Sequence, residues 1–271
     1  MIVWLESLPL WQMGVILIGG FIAIAALGVF LMQRFYPGEK LWEHLHVAGF
    51  VHALIGVTYA VLVGFVAVGV WERFDAAEAM TFDEAGHWQV VYADSVGVRT
   101  GPEIRTLTRE YLESIIKDEW PRMASPDDSR DPKTTVLATR LHDMIVHIDA
   151  KTNGEQSAQQ DMLTNASVAS IERNARTVAY DTGVNPSVWA VLFAGAFLTI
   201  GFSLLFGFKK RVLQYIMICS MSAMIGGALF LTLALDFPFR GDVSVQSDAY
   251  ESTLQNFSAM DNVHAAPKHV K

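Results

Sequence analysis

The chain has 271 residues, 52% of them hydrophobic and only 18% charged, with the apolar residues gathered in blocks. Soluble domains carry about 25% charged residues, so an ordinary water-soluble globule is excluded. A net charge of −8 without a basic stripe excludes a nucleic-acid footprint, and the single Cys219 excludes an intrachain disulfide.

The first 12 residues hold no Lys or Arg. The charged start of a secretory signal is missing, and the first apolar block is expected to be a retained span. That block, residues 13–32, is "MGVILIGGFIAIAALGVFLM". Crossing about 30 Å of hydrocarbon takes about 20 apolar residues, so it qualifies. The second block, 48–71, carries His52 as its one ionisable group. Nothing breaks it at Trp71, so "WERFDAAEAMTFDEAGHWQVVYADSV" is expected to prolong it as one long helix.

Residues 72–186 are polar, with 20 acidic and 12 basic side chains, and read as helical throughout. Thr100-Gly-Pro-Glu starts a helix, with Ile104, Leu107, Leu112, Ile115 and Ile116 on its apolar face, and Pro121 ends or kinks it. Asp131-Pro132 starts the next. Its inward residues are Val136, Leu137, Leu141, Met144, Ile145 and Ile148, and Thr152-Asn-Gly ends it. A further helix over about 156–180 is expected to turn Met162, Leu163, Ile171, Ala175 and Val178 inward. "ASPDDSRD" at 124–131 reads as the clearest loop.

Residues 187–207 and 212–235 are uncharged and make the third and fourth spans. The fourth stops abruptly in "LALDFPFRGDV": Asp236 marks the water interface and Pro238 cannot continue the helix. Phe239 can rest at the interface and Arg240 can reach water or phosphate. A short helix follows Ser247, and "APKHVK" is a frayed end. The organisation is therefore a first transmembrane pair (1–71), an acidic helical water-exposed domain (72–186), a second pair (187–236) and a polar tail (237–271).

Short-loop cations set orientation. Arg34, Lys40, Lys209, Lys210 and Arg211 lie on one side, against Arg73, Arg173, Arg176 and Arg240 near the span ends on the other. This balance leans towards an extracytoplasmic acidic domain. The Glu-x-x-His pairs Glu43/His46 and Glu84/His87 have di-iron spacing, but the second span separates them, and Asp143/His147 is at most half a site. No metal, cofactor or enzymatic signature is assigned.

Small residues recur along the second span at Gly49, Ala53, Gly56, Ala60, Gly64 and Ala67. Such a stripe lets helices approach closely, either within the chain or between subunits around a pore. His52, Gly56, Tyr59, Val63 and Arg73 are the pore-lining or selectivity candidates on this helix, and Asp236, Pro238, Phe239 and Arg240 form the interface motif.

Four stretches carry a family resemblance: "YAVLVGFVAVGVWERFDAAEA" (59–79), "EYLESIIKDEWPRMA" (110–124), "SVWAVLFAGAFLTIGFSLLFG" (187–207) and "LALDFPFRGDVSVQSDAYESTLQNF" (233–257). With these the chain resembles the bestrophin-like family of bacterial membrane proteins of unknown function. The resemblance implies an all-α membrane protein with four transmembrane helices and a helical domain between the second and third. Bestrophins are pentameric anion channels that keep this domain and both ends in the cytoplasm, opposite to the lean of the loop charges. Their hydrophobic neck has "LVGFVAVGV" (62–70) as its nearest counterpart.

Two readings follow, both set in the lipid bilayer of the inner membrane. One is a homo-oligomeric channel acting on anions, with Arg73 near its mouth. The other is a non-transporting scaffold or sensor whose helical domain binds a partner.

Overall fold

The computed structural model describes residues 8–35, 45–124, 131–206 and 211–265. Glu43, Lys40, Lys209, Lys210, the interior of the 124–131 loop, the His46 side chain and the final "APKHVK" fall outside them. The described residues contain helices and no strand. They divide into two compact units: 1–74 with 183–237 and 241–243, and 75–182 with 238–240 and 244–271.

The first unit contains α1 (Leu10–Phe35), the first part of α2 (Leu45–Asp94), α7 (Pro186–Ser203) and α8 (Arg211–Ala234). All four are long and apolar enough to cross a membrane. Pro186 sits in the first turn of α7, where its missing N–H is no loss, and the Asn185 side chain caps that turn by accepting from Ser187 N at 2.9 Å. Along α1, Met13, Leu17, Phe21, Ala25 and Val29 recur every four residues and form its buried stripe. This stripe meets α8, where a Cβ on Gly226 would lie 3.0 Å from Ile18 Cα, so a larger residue would have to push the α1 backbone aside. Gln33 Nε2 donates to Gln214 Oε1 at 3.0 Å, satisfying two amides that lipid would leave unpaired.

The second unit holds the rest of α2, α3 (Gly101–Ser114), a π turn (Ile115–Glu119), α4 (Trp120–Met123), α5 (Pro132–Val146), α6 (Asn153–Ala179) and α9 (Asp248–Ala265). Its core gathers Trp88, Tyr92, Ile104, Leu112, Leu141, Ile145, Met162, Tyr250 and Phe257. The Asp131 carboxylate caps α5 by accepting from Thr134 N at 2.9 Å.

Two expectations are corrected here and one is refined. The helix expected to end or kink at Pro121 widens into the π turn, where Trp120 N–H reaches Ile115 O, and ends at Met123. A proline clashes with the carbonyl four residues back, and the wider turn relieves that clash. Thr152-Asn-Gly opens α6 rather than closing α5: Thr152 and Glu155 form a capping box, while α5 already stops at Val146. Ile171 and Val178 are exposed at 63% and 61%, as is Val136 at 50%. On α6 the buried positions are Met162, Ala166 and Ala169, which join the apolar core, and then Arg176 and Thr177, where the Arg176 ion pairs set the inward face towards the C-terminal end of the helix.

Candidate functional site

The membrane part of α2 carries the candidates read from the sequence. Tyr59 and Val63 are each 7% exposed and belong to the buried cluster with Trp189, Leu192, Ala196 and Ile200. Gly195 on α7 seats the Tyr59 ring, since a Cβ there would lie 2.5 Å from Tyr59 Cδ2. His52 is partly buried, its Nε2 3.3 Å from Ser203 Oγ and its ring beside Phe202 and Phe206. His52, Tyr59 and Val63 therefore take part in packing within the chain.

The opposite face of α2 exposes Phe50, Leu54, Val57, Val61, Phe65 and Val68. Gly56 and Gly64 behave differently from Gly195. A Cβ on either would meet nothing within 4 Å, so this part of the small-residue stripe is not filled by the described residues of its own chain.

Arg73 is engaged. Its guanidinium donates to Asp236 Oδ1 at 3.2 Å. The Asp236 carboxylate, 1% exposed, also accepts from Val184 N at 2.7 Å and from Trp189 Nε1 at 3.1 Å. An ionised carboxylate taken out of water needs such donors on both oxygens. The abrupt end of the fourth span is thus a junction: one side chain joins α8 to α2, to the segment before α7 and to α7 itself. Asp236, expected to mark the water interface, follows the end of α8 and is buried there against its own chain.

The residues after Asp236 each have a role. Pro238 O accepts from Val245 N at 2.7 Å, closing the loop. Phe239, 4% exposed, sets its ring edge-on to Trp120. Arg240, expected to reach water or phosphate, instead lies 4.3 Å over the Tyr180 ring and pairs with Asp181 at 3.2 Å. Gly241 takes φ 79°, a backbone conformation that disfavours side chains, and Asp242 Oδ2 accepts from Leu10 N at 2.7 Å.

The helical unit contains a polar centre that the sequence did not reveal. Arg176, fully buried, donates to Glu84 Oε2 at 2.9 Å and to Glu119 Oε1 at 2.7 Å. Its guanidinium also lies over the rings of Trp120 and Tyr250. Arg173 forms a second pair with Glu119. Glu84 further accepts from Tyr111 at 3.1 Å and Tyr250 at 2.7 Å.

Two cations face two anions, so the group is neutral. Burial pushes the Glu119 carboxyl up, but Arg176 and Arg173 outweigh it and hold it below the ordinary range. Burial and the Glu84 charge push both phenols well above theirs, against the opposing pull of the arginines, so Tyr111 and Tyr250 act as donors. Pairing at 92 residues' separation leaves no periodicity to read.

The Glu84/His87 spacing leads to no shared site: Glu84 is taken by Arg176 and the tyrosines, while His87 Nδ1 lies 2.9 Å from Asn165 Oδ1. His147 Nδ1 contacts the backbone carbonyl of Asp143 at 2.8 Å. Among the described residues no cluster of His, Cys, Asp and Glu is placed to hold a metal ion.

Two solved structures are similar in fold. A bacterial bestrophin homologue from Klebsiella pneumoniae, carrying one substitution, aligns over 92% of this chain and 98% of its own with TM-score 0.63 and 14% identity. A second, described as a membrane protein variant, aligns over 90% and 98% with TM-score 0.63 and 13% identity. No curated protein sequence matches the chain. The sequence model of the Bestrophin-like domain matches residues 19–250, and the chain belongs to the bestrophin-like family.

Proposed function

We propose that the chain is one subunit of a homo-oligomeric ion channel in the plasma (inner) membrane, with the membrane part of α2 along the conduction path. The observation that carries this reading is the unfilled glycine face of α2. Gly64 has room for a Cβ, as have Gly19, Gly20, Gly69, Gly201 and Gly227 elsewhere in this unit, while Gly195 and Gly226 are closed against their own chain; of these open glycines Gly64 alone belongs to the small-residue stripe of α2, among its exposed Val57, Val61 and Phe65. Glycine weakens a helix by about 1 kcal/mol relative to alanine, and that cost goes uncompensated unless something approaches closely. In a membrane, a second copy of the same helix provides that approach. Family membership supports the same reading.

Charge selection is a separate matter. The anion preference implied by the resemblance drew on Arg73, whose charge Asp236 compensates. Exposed Glu72 and Asp75 stand beside it on α2. We therefore assign the function as ion conduction, with halides and alkali cations both to be measured.

Reconstituted vesicles loaded with a halide-sensitive or a cation-sensitive dye test the proposal directly. Flux of either ion by an oligomer in nanodiscs supports it. A folded monomer or dimer, electrically silent across pH and calcium, refutes it and favours the scaffold reading. A reporter fused after Lys271 settles on which side the helical unit lies.

A further inference from the structure

Three polar side-chain atoms of the membrane unit are buried without a partner among the described residues; Ser222 Oγ lies on α8, and the other two lie where α2 packs on α7. The first is His52 Nδ1. Ser203 Oγ donates its hydrogen to Thr199 O at 2.7 Å, so the 3.3 Å contact with His52 Nε2 needs the imidazole N–H as donor. A neutral ring protonated at Nε2 leaves Nδ1 as a bare acceptor. The second atom is the hydroxyl of Tyr59, a residue only 7% exposed.

Position sets these two groups on one line. Residues 52, 56 and 59 share a helix face, and seven residues rise about 10 Å. Side chains on a helix lean towards its N-terminus, so the Tyr59 phenol leans back along Gly56 towards His52. Between them Gly56 leaves space, since a Cβ there meets nothing within 4 Å. Polar atoms without partners are expensive in hydrocarbon, and polar, roomy sites between helices take up water. The described contacts of His52, namely Ser203, Phe202 and Phe206, carry no charge. A lone-pair acceptor in neutral surroundings attracts an O–H donor and disfavours an anion.

We propose that the seam between α2 and α7 is a hydrated intramembrane site: water held between the Tyr59 hydroxyl and His52 Nδ1, in the room left by Gly56. His52 Nδ1 is the proton acceptor of that site. On acidification an Nδ1–H bond forms as hydronium loses its proton and becomes water, leaving an imidazolium with Nε2–H still on Ser203. The site does not depend on whether the chain conducts ions.

The test is nitrogen NMR of histidine-labelled full-length protein in nanodiscs, with the His52 signal assigned by its loss in His52→Gln. The proposal expects two results: an Nε2–H tautomer at neutral pH and magnetisation transfer from water to this ring. Tyr59→Phe, which changes one atom, is expected to reduce the water transfer, and Gly56→Val to abolish it. An Nδ1–H tautomer, a ring with no water transfer, or transfer that Tyr59→Phe leaves unchanged would each overturn it. Should His52→Gln fail to fold, the His52 signal is assigned by elimination, substituting the other histidines one at a time.

Discussion

Asp236 and Arg73 lie 163 residues apart in the chain and meet at 3.2 Å, the carboxylate 1% exposed and the guanidinium 36% exposed. The same carboxylate serves Val184 N and Trp189 Nε1, so its loss takes the acceptor from both of these N–H groups. Asp236→Ala is expected to destabilise the membrane unit by about 1–3 kcal/mol, the cost of leaving its buried N–H donors unsatisfied, since the half-exposed Arg73 can turn to water. Asp236→Asn keeps an acceptor oxygen and should cost less. Denaturant unfolding in detergent, followed by tryptophan fluorescence, ranks the two; equal losses would show that only the charge matters.

Arg176 is expected to be the most sensitive cation of the helical unit. Arg176→Met leaves Glu84 and Glu119 facing one another's surroundings with one guanidinium fewer, and should cost about 3–5 kcal/mol. Adding Glu84→Gln to Arg176→Met should recover part of that loss. A thermal-unfolding cycle over the four proteins measures the coupling, and strictly additive losses would contradict a shared network.

Acid should weaken this unit in a defined direction. The Glu119 carboxyl is more acidic folded than unfolded: burial opposes its ionisation, but Arg176 and Arg173 more than compensate. Such a group stabilises the fold above its unfolded pKa, and the contribution is lost as pH falls through the lower, folded value. Stability is therefore expected to be flat at neutral pH and to decline below the ordinary glutamate range. Glu119→Gln should flatten that acid limb while lowering stability near pH 7. Unfolding midpoints measured across the acid range check both halves of the statement.

The glycine face of α2 gives a prediction on assembly. Gly64→Leu adds a side chain where no described atom of the same chain lies within 4 Å, so the subunit fold should survive. Helix approach between copies should not, and native mass spectrometry in detergent is expected to show smaller species. Intact oligomers would remove this face from the interface.

Ile171 and Val178 show where reading the sequence runs out. Hydropathy marked them as inward, yet both are exposed, because α6 turns Arg176 inward to meet two carboxylates. Periodicity ranks residues by their dislike of water and cannot register an arginine whose partners lie 57 and 92 positions away. Thr152 failed for a local reason: an Asn-Gly pair reads as a stop, while the Thr152/Glu155 spacing that makes it a start becomes decisive only once α5 has ended at Val146. The Arg73 candidate, chosen for its position at the mouth of a span, is now defined by Asp236.

Four spans, the long second helix and the all-helical body followed from hydropathy, proline placement and caps, because lipid demands that each apolar segment satisfy its own backbone. Those constraints act within about 20 consecutive residues, so the chain order alone contains them. Which glycines stay open, which carboxylate holds Arg73 and which pair encloses Arg176 were decided by packing. They depend on side chains that only the folded chain brings within hydrogen-bonding distance.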